Sequence, residues 1–423
     1  MKLRRLQIDG FKALDGLVVD VPRDLLFLIG MNGAGKSSVL QAISFVRAFS
    51  EGNALSFFAD RQWEVADVRP RVNLRTIPIG GRQSRLQSIN PIVIRVLLDA
   101  DDGVQLVWEF AWTPVQQGNL REQIWVIDPA TQSARQILSY KRPTKSPDIT
   151  AESLRLDDLK LVGSVLAFVA GGRNVPESSD KAYINAVSAW ARGITSLELL
   201  SPVAMRKGVR GRPKDIGPRG ERLAGFIAGL SASENDQLVK SVAQFYPIND
   251  LDAVRKNAGW VDLRVGENYP ASLRNKPSQM SDGFMRILAL CAIPFFEDSV
   301  STVLLDEVED GIEPHILPKI IQHVSANSRA QFIMTSHSPL LVNHFEPDEV
   351  SFLTRRPSGI TALARTSDMK VFTDGAEFFG IGEIWANASA EVMKHSALAS
   401  TDAIDGDTDR SEEDRALQFA GAV

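Results

Sequence analysis

Apolar residues follow three distinct patterns along the 423-residue chain. Leu3–Ile8 and Leu17–Val21 read as short strands. They lead to Leu25–Ile29, an unbroken apolar run ending at Gly30, which predicts a strand buried on both faces of a largely parallel sheet. Val39, Ile43 and Val46 then recur at helical spacing. Pro91–Ala100 and Val104–Thr113 flank Asp101-Asp102-Gly103, which predicts a β-hairpin. From about Ile149 to Phe245 the spacing is mostly helical, interrupted by a Gly/Pro/Arg-rich stretch at Arg206–Gly220. The buried-strand pattern returns at Thr302–Leu305 and Gln331–Thr335, with a helix predicted at Pro314–Ala326 between them.

Sequence-distant βα units therefore build one α/β sheet, and no internal repeat marks a solenoid. The expected division is 1–135 for the N-terminal part of the α/β unit with an antiparallel β lobe and 136–270 for a mainly helical insertion. Residues 271–395 complete the unit, and 396–423 form an acidic, disordered tail.

Charge and composition narrow the class. Lys+Arg is 47 and Asp+Glu is 52, a net of −5, so no global positive field points to nucleic acid. Between Thr401 and Arg415, seven acids stand against two arginines. Cys291 is the single cysteine, which excludes an intrachain disulfide and a thiolate metal cluster. The longest apolar run, Ile287–Phe296, is about half of a membrane span. The first residues lack the apolar stretch of a signal peptide. These features predict a soluble, cytoplasmic protein with no membrane partner.

Gly30-Met-Asn-Gly-Ala-Gly-Lys36-Ser37 fits G-x-x-x-x-G-K-[ST], between a buried strand and an amphipathic helix. Glycines let backbone N–H groups converge on phosphates, and the helix N-terminus adds its dipole. Lys36 then stands beside the β- and γ-phosphates of ATP, and the Ser37 hydroxyl is positioned to ligate Mg²⁺. The strand Thr302–Leu305 ends in Asp306-Glu307. At the carboxyl end of a parallel strand both acids reach the ligand crevice, Asp306 to hold Mg²⁺ and Glu307 to polarise the attacking water. Met280-Ser281-Asp282-Gly283 opens an apolar helix, a second phosphate-friendly N-terminus. His337 follows the buried strand Gln331–Thr335, one βα unit after the paired acids, where it would sense the γ-phosphate.

Together these motifs resemble the ATPase heads of the ABC superfamily, in the RecF, SMC and OLD-like branch rather than the transporters. The resemblance is nearest to bacterial AAA-type ATPases of the OLD-like, anti-phage group. Leu-Gln-Ile-Asp-Gly-Phe11-Lys12 is similar to the opening strand of those heads, and Ser281-Asp282-Gly283 to their shortened signature. Asp306-Glu307-Val-Glu-Asp310-Gly311 is similar to their D-E-P-E-N-G, and Thr335-Ser336-His337-Ser338-Pro339 to their T-T-H-S-P. Leu200-Ser-Pro202 through Leu223 resembles a stretch of their insertion, and Gly380-Ile-Gly382-Glu383-Ile-Trp385 their C-terminal G-x-G-E-I-W.

The resemblance implies an ABC-type head with a mixed or parallel sheet core, an antiparallel lobe and a helical insertion. It implies nucleotide contacts from Lys12, Asn32, Gly33, Ala34, Gly35, Lys36, Ser37 and Ser38, and catalytic roles for Glu307 and His337. It implies Mg²⁺ on Ser37 and Asp306, and Ser281, Asp282 and Gly283 acting in trans across a homodimer or higher oligomer. Val308 replaces the usual proline, Asp282 a glycine, and Gln62, Gln83 and Gln87 compete for the glutamine loop. No TOPRIM nuclease unit is expected after Ser358.

Arg206, Lys207, Arg210, Arg212, Lys214, Arg219 and Arg222 face only Asp215 and Glu221. This predicts a mobile basic loop, either solvated or contacting DNA or RNA phosphates. The resemblance implies an ATP-hydrolysing switch for a separately encoded nuclease or toxin in bacterial anti-phage defence. A RecF-like DNA repair ATPase and a nucleotide-gated scaffold are the alternatives.

Overall fold

The computed structural model describes residues 1–70, 76–79, 85–88, 90–128, 130–143, 159–169, 179–269, 273–376, 378–401 and 411–421. Strands β1 (Lys2–Asp9) and β2 (Leu17–Asp20) pair antiparallel, and β3 (Leu25–Gly30) runs into helix α1 (Lys36–Ser50). A short helix α2 (Ser56–Arg61) and the hairpin β4 (Thr76–Ile79) and β5 (Arg85–Ser88) follow. Then comes a meander of β6 (Ile92–Asp99), β7 (Gln105–Thr113), β8 (Gly118–Asp128) and β9 (Ser133–Lys141). It joins the first two strands in a six-stranded sheet ordered β2-β1-β6-β7-β8-β9. The expected hairpin is β6–β7, with Ile92 opposite Trp112 and Asp99 opposite Gln105.

The middle of the chain holds α3 (Leu166–Val169), α4 (Ser179–Arg192), β10 (Ile194–Ser196), α5 (Pro202–Met205), β11 (Val209–Arg210), α6 (Leu223–Ile227) and α7 (Ala232–Ala243). After these, β12 (Ile248–Arg255), β13 (Trp260–Glu267) and β14 (Leu273–Asn275) form a small antiparallel sheet with β11. The last third contains α8 (Asp282–Ala292), β15 (Thr302–Leu305), α9 (Leu317–Ala326), β16 (Gln331–Thr335), α10 (Pro339–Val342), β17 (Val350–Arg355) and β18 (Thr361–Arg365). It ends in α11 (Lys370–Thr373), α12 (Ile381–Asn387), α13 (Ala390–Ala399) and α14 (Glu412–Ala420).

The central sheet is ordered β10-β15-β16-β3-β17-β18, parallel except for the β17–β18 hairpin. Its middle strands read as continuous apolar runs because both faces are covered. Leu25, Phe27 and Ile29 of β3 enter one core with α7, α8 and α9, while Leu26 and Leu28 enter another with α1. Helix α1 lies between this sheet and the antiparallel lobe. Trp108, Phe110 and Trp112 alternate along β7 toward it, and the Phe49 and Phe110 rings stack at 3.9 Å.

Three expectations change. The boundary at 135 cuts through β9, and the middle segment ends in strands. Its short β10 extends the central sheet beside β15, since three residues are too few to show a period. The basic stretch is anchored rather than mobile: Ile216 is fully buried, Asp215 accepts the Gly217 N–H at 2.9 Å, and β11 pairs with β13. The acidic tail contains α14, whose Ala416, Leu417 and Phe419 cover Leu97, Val107 and Ile127 on the outer face of the lobe. Its acids sit in the first helical turn, where the helix dipole favours them. Residues 402–410 lie outside the described residues. Among the described residues, no helix is long and apolar enough to cross a membrane.

Candidate functional site

The loop between β3 and α1 closes on a backbone that only glycine satisfies. Gly30 has φ 133, and a Cβ there would meet the Leu353 carbonyl oxygen at 2.2 Å. Gly35 has φ 112, and its Cβ would meet Thr361 Oγ1 at 2.6 Å. Both contacts come from the β17–β18 hairpin, which braces the loop. Arg355 Nε donates to the Gly33 carbonyl at 2.8 Å, and Thr361 Oγ1 to the Ala34 carbonyl at 2.8 Å. Sequence reasoning missed Arg355 and Thr361, because each reads as an ordinary polar position at the end of an apolar strand.

Within the loop, Asn32 and Gly33 are exposed, Ala34 is buried, and Ser37 and Ser38 are half-buried on the first turn of α1. Lys36 is buried, and its Nζ donates to the Gly30 and Met31 carbonyls at 3.0 and 3.2 Å. Burial lowers its pKa, while Asp306 and Glu307 oppose that shift.

Two strands away, β15 stops at Leu305. Asp306 Oδ1 accepts from Ser37 Oγ at 3.2 Å and also from Thr335 Oγ1. Glu307 adopts a left-handed φ of 47, and its N–H donates to Thr335 Oγ1 at 2.8 Å. This turn brings adjacent carboxylates to one crevice, where strand alternation alone would part them. They line a cleft of about 160 Å³ with Glu198, Arg286 and Asp310. His337 Nε2 lies 4.0 Å from Glu307 Oε1, and its backbone N–H donates to Glu309. Glu309 Oε2 is buried without a hydrogen-bond partner among the described residues. Glu309 was visible only as one more acid after the pair.

Lys12 reaches helix α1 rather than bonding to the loop itself. Its Nζ donates to Gln41 on α1 at 2.7 Å and lies 4.0 Å over the Trp63 ring. Burial, with help from the nearby Arg61 charge, lowers its pKa to about 8. Of the glutamine-loop candidates, Gln62 caps α2 with φ 56, while Gln83 and the side chain of Gln87 lie outside the described residues.

The signature is built differently. Ser281 caps α8, its Oγ accepting the Phe284 N–H at 3.1 Å. A Cβ on Gly283 would stand 2.5 Å from the Gly311 carbonyl oxygen. Among the described residues, the polar contacts of this turn run to Arg206 and within its own helix, not to the phosphate loop. One chain thus assembles residues 30–38, Asp306, Glu307 and His337, while Gly283 packs against Gly311 in the loop that follows the paired acids.

Two family descriptions match parts of the chain. An AAA domain, putative AbiEii toxin, Type IV TA system, matches residues 247–343, and a second AAA domain matches residues 5–160. Among solved structures, an SMC head bound to the C-winged helix domain of ScpA is similar at 13% identity, covering 86% of this chain and 98% of that one, with a TM-score of 0.52. The SMC head domain from Thermotoga maritima matches at 13% identity over 86% and 99% of the two chains, with a TM-score of 0.43. An SMC head bound to the C-terminal domain of ScpA, from Pyrococcus furiosus, matches at 12% identity over 86% and 96%, with a TM-score of 0.47. Among curated proteins none matches the chain. The chain has the fold of an ABC/SMC-type ATPase head.

Proposed function

We propose that this chain binds and hydrolyses ATP with Mg²⁺ and uses the cycle as a switch on a separate effector. The observation that carries this reading is the Ser37–Asp306–Thr335 network, which ties the phosphate loop to the acidic end of β15. The Ser37 hydroxyl and the Asp306 carboxylate are hard oxygen donors already within 3.2 Å, a set that suits Mg²⁺. Bound there, Mg²⁺ would neutralise charge on the phosphates. Lys36 exchanges its carbonyl partners for phosphate oxygens, and N–H groups at the start of α1 orient them. Glu307, half-exposed in the crevice, takes up the proton of an attacking water. His337 stands beside Glu307, where it would contact the γ-phosphate.

A second copy supplies Ser281 and Gly283 to close the site, a reading supported by the signature turn's polar contacts, which run to Arg206 and within its own helix rather than to the phosphate loop. Shape change and altered association are then the outputs, and a partner reads them. The family described with a putative AbiEii toxin supports a toxin-linked or anti-phage setting. The winged-helix domain bound to the similar SMC head supports a protein partner. The basic stretch gives a RecF-like reading less support, since Arg206, Lys214 and Arg222 are engaged by Asp282, Glu297 and Asp215.

The test is Glu307→Gln. With ATP and Mg²⁺ it should hydrolyse at least about a hundredfold slower, and size-exclusion chromatography should show a dimer that wild type forms only transiently. A Glu307→Gln chain that turns over normally, or stays monomeric with ATP, would defeat the reading.

A further inference from the structure

Arg206 ends α5 and reaches across to the signature turn. Its Nε donates to the Pro277 carbonyl at 3.1 Å, and its Nη2 donates to the Met280 carbonyl at 2.9 Å and to Asp282 Oδ1. The Arg206 side chain is 21% exposed and that of Asp282 is 66% exposed. An aspartate in the first turn of α8 suits the helix itself, because it meets the positive end of the dipole. For a phosphate-facing turn the same carboxylate is a liability. It cancels the positive end and sets an anion next to Ser281.

We infer that Arg206 is a positioning residue for the signature: it clamps the Pro277–Asp282 turn and neutralises Asp282, so that Ser281 meets a nucleotide held by a second copy without net negative charge. The guanidinium suits this double task because its planar fork holds carbonyls and carboxylate at once. Arg206 also leads into the stretch that β11 pairs onto the small antiparallel sheet. A partner that shifts that stretch would therefore reach the signature through one side chain. The inference rests on the two-copy reading above.

The experiment uses full-length chains. Arg206→Gln keeps a hydrogen-bond donor but removes the charge. It should lower kcat about tenfold or more while leaving the Kd for a fluorescent ATP analogue within about twofold, because its own phosphate loop is intact. Adding Asp282→Ser removes the acid that needs neutralising, and the double variant should recover most of the lost rate. Arg206→Lys should fall between wild type and Arg206→Gln. Mixing Arg206→Gln with Lys36→Ala chains should restore one composite site, since the second chain contributes an intact signature. A parallel mixture of Ser281→Arg with Lys36→Ala reports on the two-copy reading alone.

Wild-type turnover in Arg206→Gln, or no recovery with Asp282→Ser, would overturn the role of Arg206. Rescue in the Ser281 mixture but not in the Arg206 mixture would overturn Arg206 and leave the two-copy reading standing. Rescue in neither would defeat the two-copy reading itself. Should Arg206→Gln melt early, Arg206→Lys keeps the test: its kcat should fall severalfold with the analogue Kd within about twofold, and a wild-type kcat in that variant would overturn the inference.

Discussion

Thr335 Oγ1 donates to Asp306 and at 2.8 Å accepts the backbone N–H of Glu307. A single hydroxyl at the end of β16 thus fixes both acids at the end of the neighbouring strand. Thr335→Val keeps the shape and removes both bonds. A hydrogen bond to a charged group contributes about 1.5–3 kcal/mol, so kcat should fall roughly 10- to 100-fold. Thr335→Ser should stay within about threefold of wild type, because the hydroxyl remains. Steady-state ATPase assays check both, and an unimpaired valine variant would remove Thr335 from the network.

Lys36 is buried, so a test of its charge should preserve its stem. Lys36→Met retains the packing of the methylenes and loses the cation. Wild type should melt at a higher temperature with ATP and Mg²⁺, by about 2–3 kcal/mol of added stability at a hundredfold excess over Kd. Lys36→Met should show no such shift and no turnover, with its ligand-free midpoint close to wild type. A full ATP-induced shift in the variant would take the phosphate site away from Lys36.

The phosphate loop and the acidic strand end were legible because their chemistry is local: glycines, a lysine and a helix start in one stretch, and a buried run that stops at two acids. The supports came from distant residues and carried no local pattern. Arg355 and Thr361 brace the loop across more than three hundred residues of chain, and Arg206 reaches Asp282 from the insertion. Charge counting misread two segments for one reason. It registers how many acids or bases a stretch holds, whereas a few buried apolar residues in or beside them, Ile216 in one and Ala416, Leu417 and Phe419 in the other, dock each stretch.

Glu122 predicts a pH dependence of stability. It is fully buried in the lobe and accepts from Trp108 Nε1 at 3.1 Å, Asn119 Nδ2 at 2.8 Å, the Val165 N–H at 2.8 Å and the Ser164 hydroxyl. Burial nevertheless raises its pKa from 4.5 to about 7. The native carboxyl then keeps its proton through a window in which the unfolded one releases it. Stability should therefore fall as pH rises from about 4.5 to 7, by at most about 1.4 kcal/mol per pH unit from this group. Glu122→Gln cannot titrate. Its slope across that window should be shallower, and its stability lower by about 1–3 kcal/mol, because its amide faces donors. Denaturant midpoints across this range check the sign, and an unchanged slope in the variant would assign the dependence elsewhere.

Helix α14 predicts what the C-terminal segment does for the lobe. The outer face of the six-stranded sheet presents Leu97, Val107 and Ile127, which α14 covers with Ala416, Leu417 and Phe419. Three side chains hold it in place. Arg5 Nη1 donates to the Phe419 carbonyl at 2.9 Å, Gln123 Nε2 donates to Glu412 at 2.6 Å, and the Arg95 guanidinium lies 5.3 Å over the Phe419 ring. A helix of nine residues is too short to persist unaided, so its packing onto the sheet is what maintains it. Ending the chain before residue 402 would return the apolar face to water. Each large side chain uncovered costs about 1.5–3 kcal/mol at full burial, offset by the entropy regained by the helix, which leaves a loss of roughly 2–4 kcal/mol. The truncated chain should melt lower, bind a hydrophobic dye and associate at high concentration. Phe419→Ala should give a smaller loss in the same direction, about 1–3 kcal/mol, because Ala416 and Leu417 still cover the sheet. Helix α1 packs on the opposite face of the sheet, so basal ATP turnover per folded molecule should stay within about twofold. An unchanged melting midpoint and no dye binding after truncation would mean that the sheet face does not depend on α14 for its cover.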